Sequence, residues 1–168
     1  MPGVRVLGVD PGSRHCGWGV IDRSGARCVA VAWGRLSPSA RLPLPERLGE
    51  IAAGIAAVIA EHRPDHAAVE RVFHGVSTRS LIVLAEARGA VLGELGRLGI
   101  GVSELAPAEI KSAVAGSGRA DKAQVARMVA LLLALPGAHP PADATDALAA
   151  ALACAQLEGF AHRVGPGR

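Results

Sequence analysis

Apolar and polar positions along the chain divide it into short strand-like runs followed by longer helical ones. Residues 4–9, Val-Arg-Val-Leu-Gly-Val, read as a buried strand that ends at the turn signal Asp10-Pro11-Gly12. Residues 16–22 and 26–36 read as two further strands. Ser24-Gly25 turns between them, so an antiparallel meander is expected. A Pro-rich loop follows over 37–45. In residues 46–62, Leu48, Ile51, Ala52, Ile55, Val58 and Ile59 recur at helical spacing, and Arg63-Pro64 ends that helix.

The second half alternates. Residues 66–73 read as a strand, 79–98 as a helix and 101–105 as a short strand. Pro107 opens a short helix. A Gly- and Ser-containing basic link at 116–122 leads into a helix over 122–135. After the Pro136–Pro141 break, a last helix runs from about Ala142 to 160. Gly89, Gly93 and Gly96 lower the stability of the 79–98 helix and leave room for close packing, such as against a second subunit. Strands first, then strands alternating with helices, indicate an α/β fold: a mixed sheet of three antiparallel strands followed by parallel ones, flanked by helices. The expected domain is a single one over 1–161, with a flexible polar tail at 162–168.

Composition narrows the picture. Of 168 residues, half are apolar, Tyr is absent, and Trp18, Trp33, Phe73 and Phe160 are the aromatic residues. The core must therefore be aliphatic. No apolar stretch runs uninterrupted far enough to span a bilayer, and the N-terminus lacks signal-peptide architecture, so a soluble cytoplasmic protein with no membrane partner is expected. Cys16, Cys28 and Cys154 show no metal-type spacing and read as reduced, buried thiols. The net charge of +3 permits a polyanionic partner without requiring one. Of 18 basic residues only Lys111 and Lys122 are Lys, either by chance or because those positions need a compact ammonium.

Four carboxylates stand out. Asp10 follows the first strand at its C-terminal end, where ligand sites of open α/β sheets gather, although Asp-Pro-Gly also makes an ordinary turn. Glu70 interrupts an apolar strand, which is costly unless it is paired, exposed at an edge or metal-bound. Asp143 and Asp146 share one helix face a turn apart. Either could simply cap the helix, but a cap does not need a second acid one turn on. Hard divalent ions prefer oxygen ligands, and two of them can activate water and stabilise a phosphodiester's leaving oxygen. The set is compatible with a metallonuclease.

The motifs also resemble a known family. Leu7-Gly8-Val9-Asp10-Pro11-Gly12-Ser13-Arg14 with Gly17-Trp18-Gly19-Val20 resembles the opening of the bacterial RuvC crossover-junction endonucleases. Ala68-Val69-Glu70-Arg71-Val72-Phe73 resembles their second acidic motif. Pro107, Ile110-Lys111 and Asp121-Lys122-Ala123-Gln124-Val125 resemble their basic segment, and Ala142-Asp143-Ala144-Thr145-Asp146-Ala147-Leu148-Ala149 their C-terminal acidic motif. The likeness runs in order from about residue 4 to 155.

This resemblance implies a ribonuclease-H-like fold, a homodimer, and Mg²⁺-dependent nicking of opposed strands of a four-way (Holliday) DNA junction. Two ions per site and substitution by Mn²⁺ are implied, as are 5′-phosphate and 3′-hydroxyl products and work beside a RuvA–RuvB branch-migration motor. Asp10, Glu70, Asp143 and Asp146 would hold the metal, with water as nucleophile. Lys122 would sit near the scissile phosphate, Lys111 would contact DNA, and Phe73 would stack on an unpaired base unless it simply packs in the core. Arg14, Arg79 and Arg119 are further candidate phosphate ligands. The 74–80 loop, His-Gly-Val-Ser-Thr-Arg-Ser, departs from many relatives and puts the inherited cleavage preference in doubt.

Other classes fit less well. An RNA-directed nuclease on the same fold stays open until substrates are compared. An ATPase of the actin or sugar-kinase superfamily would need two such domains. A non-catalytic junction-binding module would not need all four acids.

Overall fold

The computed structural model describes residues 3–72, 77–135, 137 and 139–157. Five strands form one sheet: β1 (Val4–Asp10), β2 (Cys16–Ser24), β3 (Arg27–Leu36), β4 (His66–Glu70) and β5 (Gly101–Leu105). Their order is β3-β2-β1-β4-β5. β1 pairs antiparallel with β2, and β2 with β3, whereas β1–β4 and β4–β5 are parallel. The meander followed by parallel strands is the expected arrangement. The helices are α1 (Leu44–His62), α2 (Thr78–Arg97), α3 (Pro107–Ala115), α4 (Lys122–Leu132) and α5 (Ala142–Gln156).

Period-two alternation divides β1 between two cores. Leu7 and Val9 join Ile51, Ile55 and Val58 of α1 and Val91 and Leu95 of α2 on one face. Val6 joins the opposite cluster, which is built with α3, α4 and α5. Gly8 and Asp10 share the parity of Val6, so they face α5. In β4, Ala67 and Val69 belong to the α1–α2 core and Ala68 to the α5 core, which sends Glu70 toward α5 as well.

Helix α5 is buried along nearly its whole length and is mostly alanine. It lies directly on the strands because they carry glycine beneath it. A methyl group on Gly8 would collide with the carbonyl of Ala147, and one on Gly17 with the backbone of Asp143. Small residues on both surfaces bring the helix unusually close to the sheet.

Several boundaries differ from the sequence expectation. α1 begins at Leu44, with Pro45 in its first turn, where its missing N–H costs nothing. β4 stops at Glu70 rather than 73, because its neighbour β5 ends at Leu105, where Pro107 starts α3. α4 ends at Leu132 rather than 135. Ala134 is left-handed at φ 48°, and Leu135 N–H bonds back to Ala130 O at 2.9 Å, closing the last turn. α5 ends at Gln156, and the remainder of its expected span and the 162–168 tail lie outside the described residues. Nothing approaches a methyl built on Gly89, Gly93 or Gly96, so these glycines do not serve close packing among the described residues of this chain. Cys16 and Cys154 are buried, Cys28 is half-buried, and none of the three is in a disulfide. Among the described residues, no helix is long and apolar enough to cross a membrane.

Candidate metal and nucleic-acid site

The ends of β1 and β4 and the first turns of α5 meet at one edge of the fold. Asp10, Glu70, Asp143 and Asp146 line a pocket of about 330 Å³ together with Lys111 of α3 and Lys122 of α4. Asp10 is opposite Gly17 in the β1–β2 register, and Gly17 lies against Asp143. The glycine that admits α5 is thus the one that sets an α5 acid beside Asp10.

Local sequence chemistry fixes each element. Lys122 is the first residue of α4. A reciprocal cap sets that start: Asp121 Oδ1 accepts from Gln124 N–H at 2.8 Å, and Gln124 Oε1 accepts from Asp121 N–H at 2.8 Å. A cation at a helix N-terminus opposes the helix dipole, so local helix stability does not account for it. It instead meets Asp146, with Nζ 3.2 Å from Oδ2. Glu109 accepts from Ala106 N–H at 2.6 Å and fixes the start of α3, which carries Lys111. Asp143 lies in the first turn of α5, where the dipole favours an anion, and Arg35 Nη1 of β3 stands 3.6 Å from its Oδ2.

The pocket is short of positive charge. Burial raises the carboxyl of Asp10 from its usual 3.8 to about 7, and Asp146, Glu70 and Asp143 push the same way against a smaller opposing effect of Lys122. Burial also raises Glu70, with Asp146 adding to it. Lys122 is raised by the charge of Asp146 and the hydrogen bond to it. Four carboxylates facing two lysines form an oxygen-rich, under-compensated set, the chemistry that hard divalent cations complete. Among the described residues, no three His, Cys, Asp or Glu side chains are gathered into a group that holds an ion as they stand. The acids surround the pocket, with Asp146 drawn to Lys122 and Asp143 to Arg35.

A second groove, of about 670 Å³, adjoins the first and shares Asp10 and Asp143 with it. Arg14 and Arg79 line it, and so does Arg47 of α1. Arg79 lies in the first turn of α2, where there is no acidic residue and Ser77 caps the helix by accepting from Ser80 N–H at 3.3 Å. Arg119 lies elsewhere, in a pocket with Arg127, Met128 and Leu131 that shares no lining residue with the acid pocket. Phe73 and residues 74–76 of the divergent loop lie outside the described residues.

Sequence reading missed three arginines. Arg88 of α2 donates from Nε to the Glu70 carbonyl at 3.0 Å and pairs through Nη2 with Glu104 of β5, tying the end of β4 to its neighbour. Arg35 pairs with Asp143, and Arg47 lines the groove. In a chain where nearly every cation is Arg, composition does not single any of them out. Only the fold, which half-buries Arg88 and pairs it with Glu104, sets it apart.

The crossover junction endodeoxyribonuclease RuvC family model matches residues 6–154 of the chain. The crossover junction endodeoxyribonuclease RuvC of Azorhizobium caulinodans is 44% identical over 97% of this chain and 92% of its own length. That of Anaeromyxobacter sp. strain K is 48% identical over 97% of this chain and 87% of its own length. Among solved structures, T. thermophilus RuvC in complex with Holliday junction substrate matches with a TM-score of 0.85 at 34% identity, covering 91% of this chain and 93% of that one.

Proposed function

The chain belongs to the RuvC family of crossover junction endodeoxyribonucleases, and from that premise we propose how its ribonuclease-H-like fold resolves four-way DNA junctions. It is a Holliday junction resolvase that depends on divalent metal. The observation that carries the reading is the meeting of four carboxylates from β1, β4 and α5 around one pocket, with two lysines on its wall.

Asp10, Glu70, Asp143 and Asp146 are the residues proposed to hold the metal, two Mg²⁺ ions per site, with Mn²⁺ able to substitute. Bound there, such ions supply the positive charge that activates water and stabilises the leaving oxygen of a phosphodiester. The chain's own side chains do the rest. Lys122, released from Asp146, holds a non-bridging oxygen of the scissile phosphate over the acids. Lys111 holds the backbone beside it. Arg88 fixes the end of β4 and with it Glu70. In the reaction a bond forms between water oxygen and phosphorus, and the bond to the 3′ oxygen breaks. The products are a 5′-phosphate and a 3′-hydroxyl, a nick that ligase can seal.

The remaining expectations join the proposal. A homodimer places two such sites on opposed strands, Phe73 stacks on a base at the crossover, and Arg119 contacts a junction arm. The nuclease domain spans 1–161 and works in the cytoplasm beside a RuvA–RuvB motor. The test is a substrate panel with Mg²⁺: a mobile four-way junction, linear duplex and an RNA–DNA hybrid. Paired nicks confined to the junction are expected. Cleavage of the hybrid alone, or binding without cleavage, would keep the fold and remove the function.

A further inference from the structure

Arg47 has no role in the chemistry above, yet its surroundings are unusual. It lies in the first turns of α1, on the opposite side of the sheet from α5, and lines the groove that shares Asp10 and Asp143 with the acid pocket. Its Nε is fully shielded from solvent and has no hydrogen-bond partner. Arg5, Arg88 and Arg97 each meet a carboxylate, whereas Arg14, Arg47 and Arg79 meet none among the described residues. A buried N–H of a charged group without an acceptor is rare in folded proteins, and here it marks a guanidinium whose placement local hydrogen bonding does not account for. The groove leads directly to the acids and is walled by three guanidiniums without carboxylate partners among the described residues, so the ligand it receives is anionic and continuous with whatever the acids act on.

We infer that Arg47 is a phosphate-gripping residue that holds the backbone of the cleaved strand on the side of Asp10 opposite Lys122. The two pockets meet at Asp10 and Asp143. A strand crossing the acids therefore runs between a lysine wall from α3 and α4 and an arginine wall formed by Arg14, Arg47 and Arg79. Arg47 differs from the other two arginines. Arg14 and Arg79 are exposed, whereas Arg47 is half-buried, with its Nε shielded from solvent. A planar fork confined by that burial matches a phosphate in two places, which an ammonium cannot do. Arg47 therefore sets the register of the strand over the acids, and exposed arginines add only charge.

This inference rests on the junction-nuclease reading, and the experiment separates the two. Junction affinity is measured by fluorescence anisotropy against salt concentration in Ca²⁺, alongside cleavage in Mg²⁺, for wild type, Arg47→Met and Arg47→Lys. For Arg47→Met, affinity is expected to fall about tenfold and the slope of log Kd against log salt to become shallower by about one, the signature of a lost phosphate contact. Arg47→Lys should keep the wild-type slope but bind several-fold more weakly, because the charge remains and the fork does not. If Arg47→Met unfolds, the Lys variant alone decides, and wild-type affinity for it overturns the inference. An unchanged slope in a folded Arg47→Met also overturns it. Failure of the wild type to cut junctions would instead strike the functional reading, whatever the slopes show.

Discussion

The two faces of the sheet are built on opposite principles. The α1–α2 face is packed with branched aliphatic side chains, Leu7, Val9, Ile51, Ile55, Val91 and Leu95, which fill the space between helices and strands. The α5 face is alanine against glycine, and its helix lies almost on the strand backbones. The contact between α5 and the strands gives up side-chain bulk to gain proximity. What the closeness achieves is the meeting of α5 acids with Asp10 and Glu70. Both faces bury aliphatic side chains, but only the face with the alanine–glycine contact carries the chemistry.

The sharpest break of that division is Asp10→Asn. Cleavage should fall by about a thousandfold or more, as expected when a group that stabilises the reacting centre is lost. Junction binding should remain close to wild type, because it rests on phosphate contacts elsewhere. Parallel cleavage and anisotropy titrations check this, and equal loss of both would assign Asp10 a binding role.

The same residue should cost stability when metal is withheld. Its carboxyl is held at about 7 in the fold against 3.8 free. Between those values the folded apo-protein keeps a proton that the unfolded chain has lost, so stability is fullest near pH 4 and declines as pH rises through 7. The full effect corresponds to about 4 kcal/mol, and Glu70, raised as well, acts in the same direction. Thermal melts in EDTA should show Asp10→Asn more stable than wild type at pH 8, with the gap closing toward pH 4. A gap that does not change with pH would contradict the electrostatic cause.

A paired substitution probes the two faces directly. Ile55→Ala should cost about 2–5 kcal/mol and leave cleavage per folded molecule unchanged. Gly17→Ala forces a methyl against the Asp143 backbone and should cost about 1–3 kcal/mol or more. It should also depress cleavage per folded molecule, because α5 moves with its acids. Denaturant melts with activity normalised to folded protein distinguish the two. The smallest effect is expected for Arg88→Met, which leaves the acids in place but frees the end of β4. Cleavage should drop roughly tenfold, the scale of losing a residue that orients a metal ligand, with a slight loss of stability.

Much of this was legible in the chain. Apolar runs bounded by turn signals gave β1 to β3, and the Ile51–Ile55–Val58–Ile59 spacing gave α1, because that helix buries one face and the pattern records it. The four acids could be read because each breaks a local rule. Glu70 interrupts an apolar run, and Asp146 repeats an acid that the helix start had no need of. The closeness of α5 was not legible, since Gly8, Gly17 and Gly19 look like ordinary strand glycines until a helix is placed above them. The end of β4 was missed because it depends on where β5 stops, a contact distant in sequence. Arg88 and Arg47 were hidden by the abundance of arginine, and only the fold distinguishes the paired from the unpaired.

The central claim is that the acids on the close-packed face gather metal, and diffraction from crystals soaked in Mn²⁺ tests it most directly. Anomalous peaks are predicted in the pocket between Asp10, Glu70 and the Asp143–Asp146 turn, with Lys122 withdrawn from Asp146. An empty pocket in crystals of protein that cleaves junctions with Mn²⁺, or peaks confined to another surface, would contradict the account.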